Sequence, residues 1–175
     1  MLKYILGGIV AIAAIFAMVV AFQPTDFRIE RTAQIAAPAP EVFAQVNDFS
    51  TWAKWSPFER DPAMKKSFDG PPTGTGASYA WSGNDDVGEG RATIVESRPN
   101  DLVRIKLEFV RPFAATNTAE FTFRQAGNGT AVTWALTGER NFIAKAICMF
   151  MDMDKMVGGD FEKGLAQLKA ICEKK

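Results

Sequence analysis

The chain of 175 residues contains no histidine. Its absence removes the side chain that most often acts as a general base near neutral pH and most often binds transition metals. A catalytic triad built on histidine is therefore excluded. The acidic residues at 85–89 surround a glycine-rich turn and lack the spacing of a calcium loop. We accordingly predict neither a metal site nor a cofactor.

The sequence has few cysteines, and its positive and negative charges are equal in number. The two cysteines, Cys148 and Cys172, match no zinc-binding or thioredoxin-like spacing and are interpreted as small apolar residues of helices. If both lay on one straight helix, a disulfide between them would be out of reach. Lys plus Arg number 20, as do Asp plus Glu, so no excess of positive charge indicates a nucleic-acid partner.

An uncharged run from Tyr4 to Phe22 has about the length needed to cross a bilayer as a helix. The proline of Gln23-Pro24 ends that helix. We interpret residues 1–24 as a transmembrane anchor, with a cleaved signal peptide as the alternative. Both predict that residues 25–175 are exported, to the periplasmic or extracellular side. Lys3 favours this orientation, whereas Arg28 and Arg31 weaken it.

The remaining chain, residues 25–175, has the pattern of one α+β domain. A strand at 27–36 precedes two short helices, and six more segments then alternate apolar and polar residues, with Asn128-Gly129 as a hairpin turn. From Phe142 the period becomes helical, and Gly158-Gly159 is a place where a long C-terminal helix would kink or split. This order predicts an antiparallel sheet of about seven strands with the C-terminal helix packed on one face.

Several motifs in this order resemble the START-like (SRPBCC) superfamily, within it the polyketide cyclase/dehydrase type, and the N-terminal run resembles its membrane-anchored branch. The motifs are Ala37-Pro38 with Val42-Phe43, Trp55-Ser56-Pro57-Phe58, and the runs GPPTGTGASYAWSGN (70–84), GNGTAVTW (127–134) and MDMDKMVGGDFEKGL (151–165). The resemblance implies a helix-grip fold, in which a curved sheet wraps the C-terminal helix around a cavity for an apolar molecule.

Apolar residues of the inner sheet face and of the helix are the candidates for a ligand wall, because such pockets are lined mostly by apolar side chains with a few polar anchors. For each of them, plain filling of the core is the alternative. The candidate residues are Trp55, Phe58, Tyr79, Trp81, Phe109, Asn117, Phe121, Phe123, Trp134, Met149, Met153 and Phe161.

Three functions fit these observations. The first is a membrane-held binding or carrier domain for a hydrophobic small molecule or lipid. The second is a cyclase- or dehydrase-like enzyme acting in the same cavity, and the third is a partner-binding scaffold with a fully packed core. Acid–base groups for the enzyme would come from Tyr79, Glu96, Asn117 and Glu120.

Overall fold

The computed structural model describes residues 2–174. Seven strands form one antiparallel sheet, as the alternating patterns predict. The strands are β1 (Asp26–Ile35), β2 (Lys65–Asp69), β3 (Ser78–Ser82), β4 (Glu89–Arg98), β5 (Leu102–Arg111), β6 (Ala115–Ala126) and β7 (Gly129–Glu139). Their order across the sheet is β1-β7-β6-β5-β4-β3-β2. The strands from β2 to β7 thus form five neighbouring pairs that are consecutive in sequence, and β1 crosses over to pair with the last strand.

The pairing of β1 with β7 brings distant parts of the chain to one edge. It runs from Asp26 opposite Glu139 to Ile35 opposite Thr130. At the far end of β7, Ala126 pairs with Gly129, so the hairpin turn consists of residues 127 and 128, one residue earlier than predicted. The reason is that Gly127 has a φ of 58°, a left-handed conformation that glycine adopts without steric cost.

Two short helices follow β1, α2 (Ala39–Val46) and a 3₁₀ helix (Phe49–Lys54). The last carbonyls of a helix have no partner within it. Two indole N–H groups satisfy them here, since Trp52 Nε1 donates to the Val46 carbonyl at 3.0 Å and Trp55 Nε1 donates to that of Gln45 at 3.1 Å. The aromatic residues after α2 therefore cap that helix as well as fill the core.

The C-terminal helix is divided into α3 (Phe142–Cys148) and α4 (Met153–Glu173). The break lies at residues 149–152, and α4 runs without interruption through Gly158-Gly159, where we had expected a kink or a split. The reason is capping: Asp152 accepts a hydrogen bond from the Lys155 N–H at 3.1 Å and starts a new helix. Cys148 in α3 and Cys172 in α4 are both free thiols, each half-buried.

α4 lies on one face of the sheet, which we call the inner face. Its buried stripe comprises Phe161, Leu165 and Leu168, as the helical period predicts. An ion-pair cluster fixes the start of α4 to β1. Arg31 donates to Asp154 and to Glu162, each at 2.8 Å, and these bonds raise the pKa of Arg31 above its usual range. Gly158 makes room for the cluster, because a Cβ there would collide with the Arg31 guanidinium.

The N-terminal helix α1 spans Leu2–Ala21. Its residues 3–21 are long and apolar enough to cross a membrane, and almost none of them is buried by the rest of the protein. The same length and composition would also suit a signal sequence near the N-terminus. A link of four residues, 22–25, joins α1 to β1, and the Thr25 carbonyl accepts a hydrogen bond from the Arg140 N–H at 2.8 Å.

Candidate functional site

The aromatic centre of the inner face is tightly packed. The ring of Trp134 stacks on Phe161 with centroids 4.1 Å apart and on Phe121 with centroids 4.7 Å apart. Trp55 meets Trp134 edge-on at 5.8 Å. All four side chains are at most 3% exposed. Alternation along the strands predicted an inward direction for Phe121 and Trp134, and the helical period predicted it for Phe161. Within this cluster the side chains fill the space themselves.

The Trp134 indole N–H, within this cluster, is a buried donor. Nε1 has no hydrogen-bond partner among residues 2–174. Gly164 approaches the opposite, benzenoid edge of the ring, since a Cβ built on it would lie 2.8 Å from Cζ3. Leaving such a donor unpaired costs about 1–3 kcal/mol. An acceptor brought to Nε1 would recover that cost, and nothing in the sequence distinguished this indole from the paired ones of Trp52 and Trp55.

The inner face is more open toward one end of the strands, where β1 begins and β7 ends. We call this end of the sheet the proximal edge. Trp81 and Phe109 are half-buried there, and their rings meet edge-on at 5.8 Å. Trp81 lies over Gly90, since a Cβ on that glycine would be 2.6 Å from Cζ2 of the indole. Trp81 Nε1 donates to the Val87 carbonyl at 3.0 Å. This aromatic surface remains partly accessible to solvent.

Tyr79 lies between the packed aromatic centre of the inner face and the half-buried surface of Trp81 and Phe109. It stacks on Trp81 at 5.6 Å, and its hydroxyl lies 3.4 Å from a carboxylate oxygen of Glu59. Burial, followed by the negative charge of Glu59, raises the pKa of Tyr79 well above its ordinary value. The hydroxyl therefore stays protonated and acts as a donor. Sequence reasoning missed Glu59, because a loop residue 20 positions away carries no periodic signal.

Asn117 is the polar member of a row of inner-face residues. In register, this row consists of Tyr79, Ala92, Leu107, Asn117, Gly138 and Phe27. The Asn117 amide sits over Gly138, where a Cβ would collide with it, and it makes no side-chain hydrogen bond to another residue of the described range 2–174. It is thus an amide available to a ligand on an otherwise apolar row.

Glu96 and Glu120 do not reach the inner face. Both pair with Arg104 on the opposite face of the sheet, with an Arg104–Glu120 distance of 2.6 Å. Glu120 lies between Ala119 and Phe121, which both point inward, so alternation turns it outward. The expectation that these carboxylates serve a reaction in the cavity is therefore corrected.

The other predicted wall residues are dispersed. Phe123 is buried beside Phe43 of α2, with ring centroids 5.5 Å apart. Phe58 is 41% exposed and touches Trp134 edge-on at 6.1 Å. Met153, half-buried at the start of α4, packs against the core. Met149 lies apart from the inner face, at the end of α3.

Two clefts open on the surface. One, of about 480 Å³, lies between the end of α1 and the α3–α4 connection, and Met149 and Met153 line it together with Arg140 and Lys145. The other, of about 440 Å³, follows β1 and α4 and includes Arg31 and Lys169. Neither is lined by the inner-face aromatic residues. Among residues 2–174, no group of three or more Cys, Asp and Glu side chains is placed to hold a metal ion.

Comparison with protein families gives one match. The model of the family described as polyketide cyclase / dehydrase and lipid transport matches residues 26–173, which include every strand together with α2, α3 and α4. The comparison with curated proteins finds no match.

Solved structures with the same fold differ widely in sequence. Protein CV1439 from Chromobacterium violaceum is 16% identical, with a TM-score of 0.61 over 87% of this chain and 100% of that protein. The di-domain ARO/CYC protein BexL is 17% identical, with a TM-score of 0.65 over 89% of this chain and 53% of that protein. The Aha1 protein of Colwellia psychrerythraea is 15% identical, with a TM-score of 0.60 over 84% of this chain and 96% of that protein. These similarities establish a shared helix-grip fold.

Proposed function

The chain belongs to the polyketide cyclase / dehydrase and lipid transport family, and from this membership we propose that residues 25–175 bind a hydrophobic small molecule or lipid. The ligand lies between the inner sheet face and α4. Residues 1–24 hold this domain at the membrane, on the exported side. The domain acts as a carrier or binding module.

One observation carries the proposal: among residues 2–174 the buried indole N–H of Trp134 has no acceptor, and its surroundings are almost entirely apolar. It indicates a ligand that is mostly apolar and has one accepting oxygen, such as a carbonyl, ester or hydroxyl group. Trp81, Leu107 and Phe109 form a half-buried surface on the same face of the sheet, four to six residues along the strands from Trp134 toward the proximal edge. This surface would hold the apolar part of the ligand. Because the Trp134 cluster is closed by its own rings, entry requires Phe58 or Phe161 to move.

Native mass spectrometry of the full chain, released from detergent, tests the proposal directly. We expect co-purifying lipid or another apolar adduct. The key variant is Trp134→Phe, which keeps an aromatic ring and removes the N–H. Losing one hydrogen bond of about 0.5–1.5 kcal/mol should weaken adduct retention roughly two- to tenfold.

Trp52→Phe is the matched control. It also removes an indole N–H, but one that Val46 already accepts. We expect Trp52→Phe to lower stability without a specific loss of the adduct. A parent protein free of adducts, with no uptake of added fatty acid, would leave a packed scaffold as the better account.

The anchor is supported by an exposed apolar helix of 19 residues directly before the domain. Alkaline carbonate extraction of cell membranes should leave the full-length protein in the pellet. A mature N-terminus near Phe22, found by sequencing the purified protein, would instead identify a cleaved signal peptide. Protease added to cells whose outer layer has been opened should digest residues 25–175 if they are exported, whereas a cytoplasmic domain would stay protected.

A second candidate, an enzyme that cyclises or dehydrates an apolar substrate, is favoured by the contact of Tyr79 with Glu59. A tyrosine kept protonated by burial is able to donate a hydrogen bond to a developing oxyanion, while Asn117 positions the substrate. In that case Tyr79→Phe abolishes turnover of a polyketide-like substrate and retains binding. A carrier shows no turnover in either protein.

A further inference from the structure

The register of the sheet places α3 beside the exit of the proposed anchor. Asp26, the first residue of β1, is opposite Glu139, the last of β7. The chain leaves α1 at Ala21 and enters α3 at Phe142, so four residues separate α1 from β1 and two separate β7 from α3. Both helices therefore emerge from the proximal edge. Phe16 of α1 and Phe150 after α3 are also stacked, with centroids 6.2 Å apart.

A helix packed on a soluble domain normally turns its apolar side toward the core, whereas α3 turns its apolar side away from it. Its apolar side chains share one side, at spacings of one and four residues. That side points outward, with Phe142 51%, Ile143 61% and Ile147 38% exposed. Phe150, just after the helix, is 79% exposed. The half-buried residues on the other side are Ala144, Lys145 and Cys148, and α3 contributes no buried residue to the core.

The turns at the two ends of the sheet also differ in how much apolar surface they expose. The β5–β6 turn, at the proximal edge, exposes 66% of Phe113. Turns at the distal edge contain residues 70–77, 99–101 and 127–128, which read GPPTGTGA, PND and GN and include no large apolar side chain. Large apolar groups are thus exposed where the anchor leaves the domain and lacking at the turns of the other edge.

We infer that the outward side of α3, continued by Met149–Met151 and assisted by Phe113, lies in the headgroup region of the bilayer. The inference rests on the proposed anchor. An interfacial helix has its apolar side in the membrane boundary and its basic residues flanking it, as Lys145 does here. The occupant is lipid because this surface is continuous with α1. In this position the half-open end of the inner face, at Trp81 and Phe109, is directed toward the membrane from which an apolar ligand would come.

Depth-dependent quenching in vesicles tests this placement. Three full-length proteins carry one environment-sensitive fluorophore each, through Ile143→Cys in α3, Ile12→Cys in α1 or Asn128→Cys at the distal edge, in a Cys148→Ser/Cys172→Ser background. Each is reconstituted into phosphatidylcholine vesicles containing nitroxide lipids. Asn128 is roughly 33 Å from the proximal edge, because β7 rises ten steps of about 3.3 Å each from Gly129 to Glu139.

We expect the label at 143 to lose emission mainly to nitroxides near the headgroup, at a depth of about 5–10 Å. The label at 12 should lose emission mainly to nitroxides deep in the acyl chains, and the label at 128 should lose none. Quenching at 12 without quenching at 143 would overturn the inference and leave the anchor intact. Energy transfer between two copies labelled at 143, without lipid quenching, would overturn it in favour of a second copy. No quenching at any position would refute the anchor, and the inference with it.

Discussion

Two glycines of α4 provide a matched test of how this helix is seated on the sheet. Gly159 faces open space, since a Cβ built there has no neighbour within 4 Å. A Cβ on Gly164 would lie 2.8 Å from Cζ3 of Trp134 and 2.8 Å from Cδ of Pro57. Carbon atoms prefer separations of about 3.5–4.0 Å, so Gly164→Ala shortens two contacts with rigid rings by roughly 1 Å.

Both substitutions gain the same helix propensity, about 1 kcal/mol per glycine replaced by alanine. Gly159→Ala should therefore stabilise the protein and raise Tm by about 2–4 °C. Gly164→Ala adds an overpacking cost of about 1–3 kcal/mol and should be less stable than Gly159→Ala by that amount. Thermal and urea denaturation followed by tryptophan fluorescence measure both. Equal stabilisation by the two variants would show that α4 does not approach Trp134 as closely as described.

Three further predictions concern α4. Leu165 is 2% exposed, so Leu165→Ala should cost about 2–5 kcal/mol, and an unchanged urea midpoint would contradict its packing. The hydrogen bond from Arg31 holds the pKa of Asp154 below its ordinary 3.8; the stability that this bond contributes is present at neutral pH and is lost as pH falls below 3.8. Asp154→Asn should therefore make stability depend less on pH below about pH 4, and an unchanged acid profile would argue against the Arg31 contact. Burial, with a smaller effect of Glu41 and Glu173, raises the pKa of Cys172 to about 11. At pH 8, iodoacetamide should therefore modify Cys172 far more slowly in the folded chain than in the urea-unfolded chain. Equal rates of modification, measured by peptide mass spectrometry, would disprove its burial.

The alternation of apolar and polar residues along each strand was sufficient to assign side chains to the two faces of the sheet. Phe121, Phe123 and Trp134 were predicted on one face because each strand alternates, and the sheet confirms this. Parity also contained the information that Glu120 points the other way, although it was counted among the acid–base candidates. That the inner face binds a ligand stays a prediction, since composition alone does not separate a wall from a packed core.

Contacts between distant residues were not predictable. The approach of Glu59 to Tyr79 and the capping of α2 by the indoles of Trp52 and Trp55 depend on loop paths that leave no periodic trace. The break at residues 149–152 was missed in favour of Gly158-Gly159. A glycine pair suggested flexibility there, whereas Gly158 serves to admit the Arg31 guanidinium.

The sequence by itself determined the seven strands, the apolar stripe of α4 and the apolar helix α1, because each is encoded in the spacing of neighbouring residues. Only the tertiary structure decided that β1 pairs with β7 and so brings Ala21 and Phe142 to one edge. It also decided that Trp134 buries an N–H that has no acceptor in the described part of the chain. The first follows from pairings between residues about 100 positions apart, and the second from packing against Phe121, Phe161 and Trp55, which are 13 to 79 positions away. Such pairings are selected by the free energy of the whole fold rather than by any local pattern.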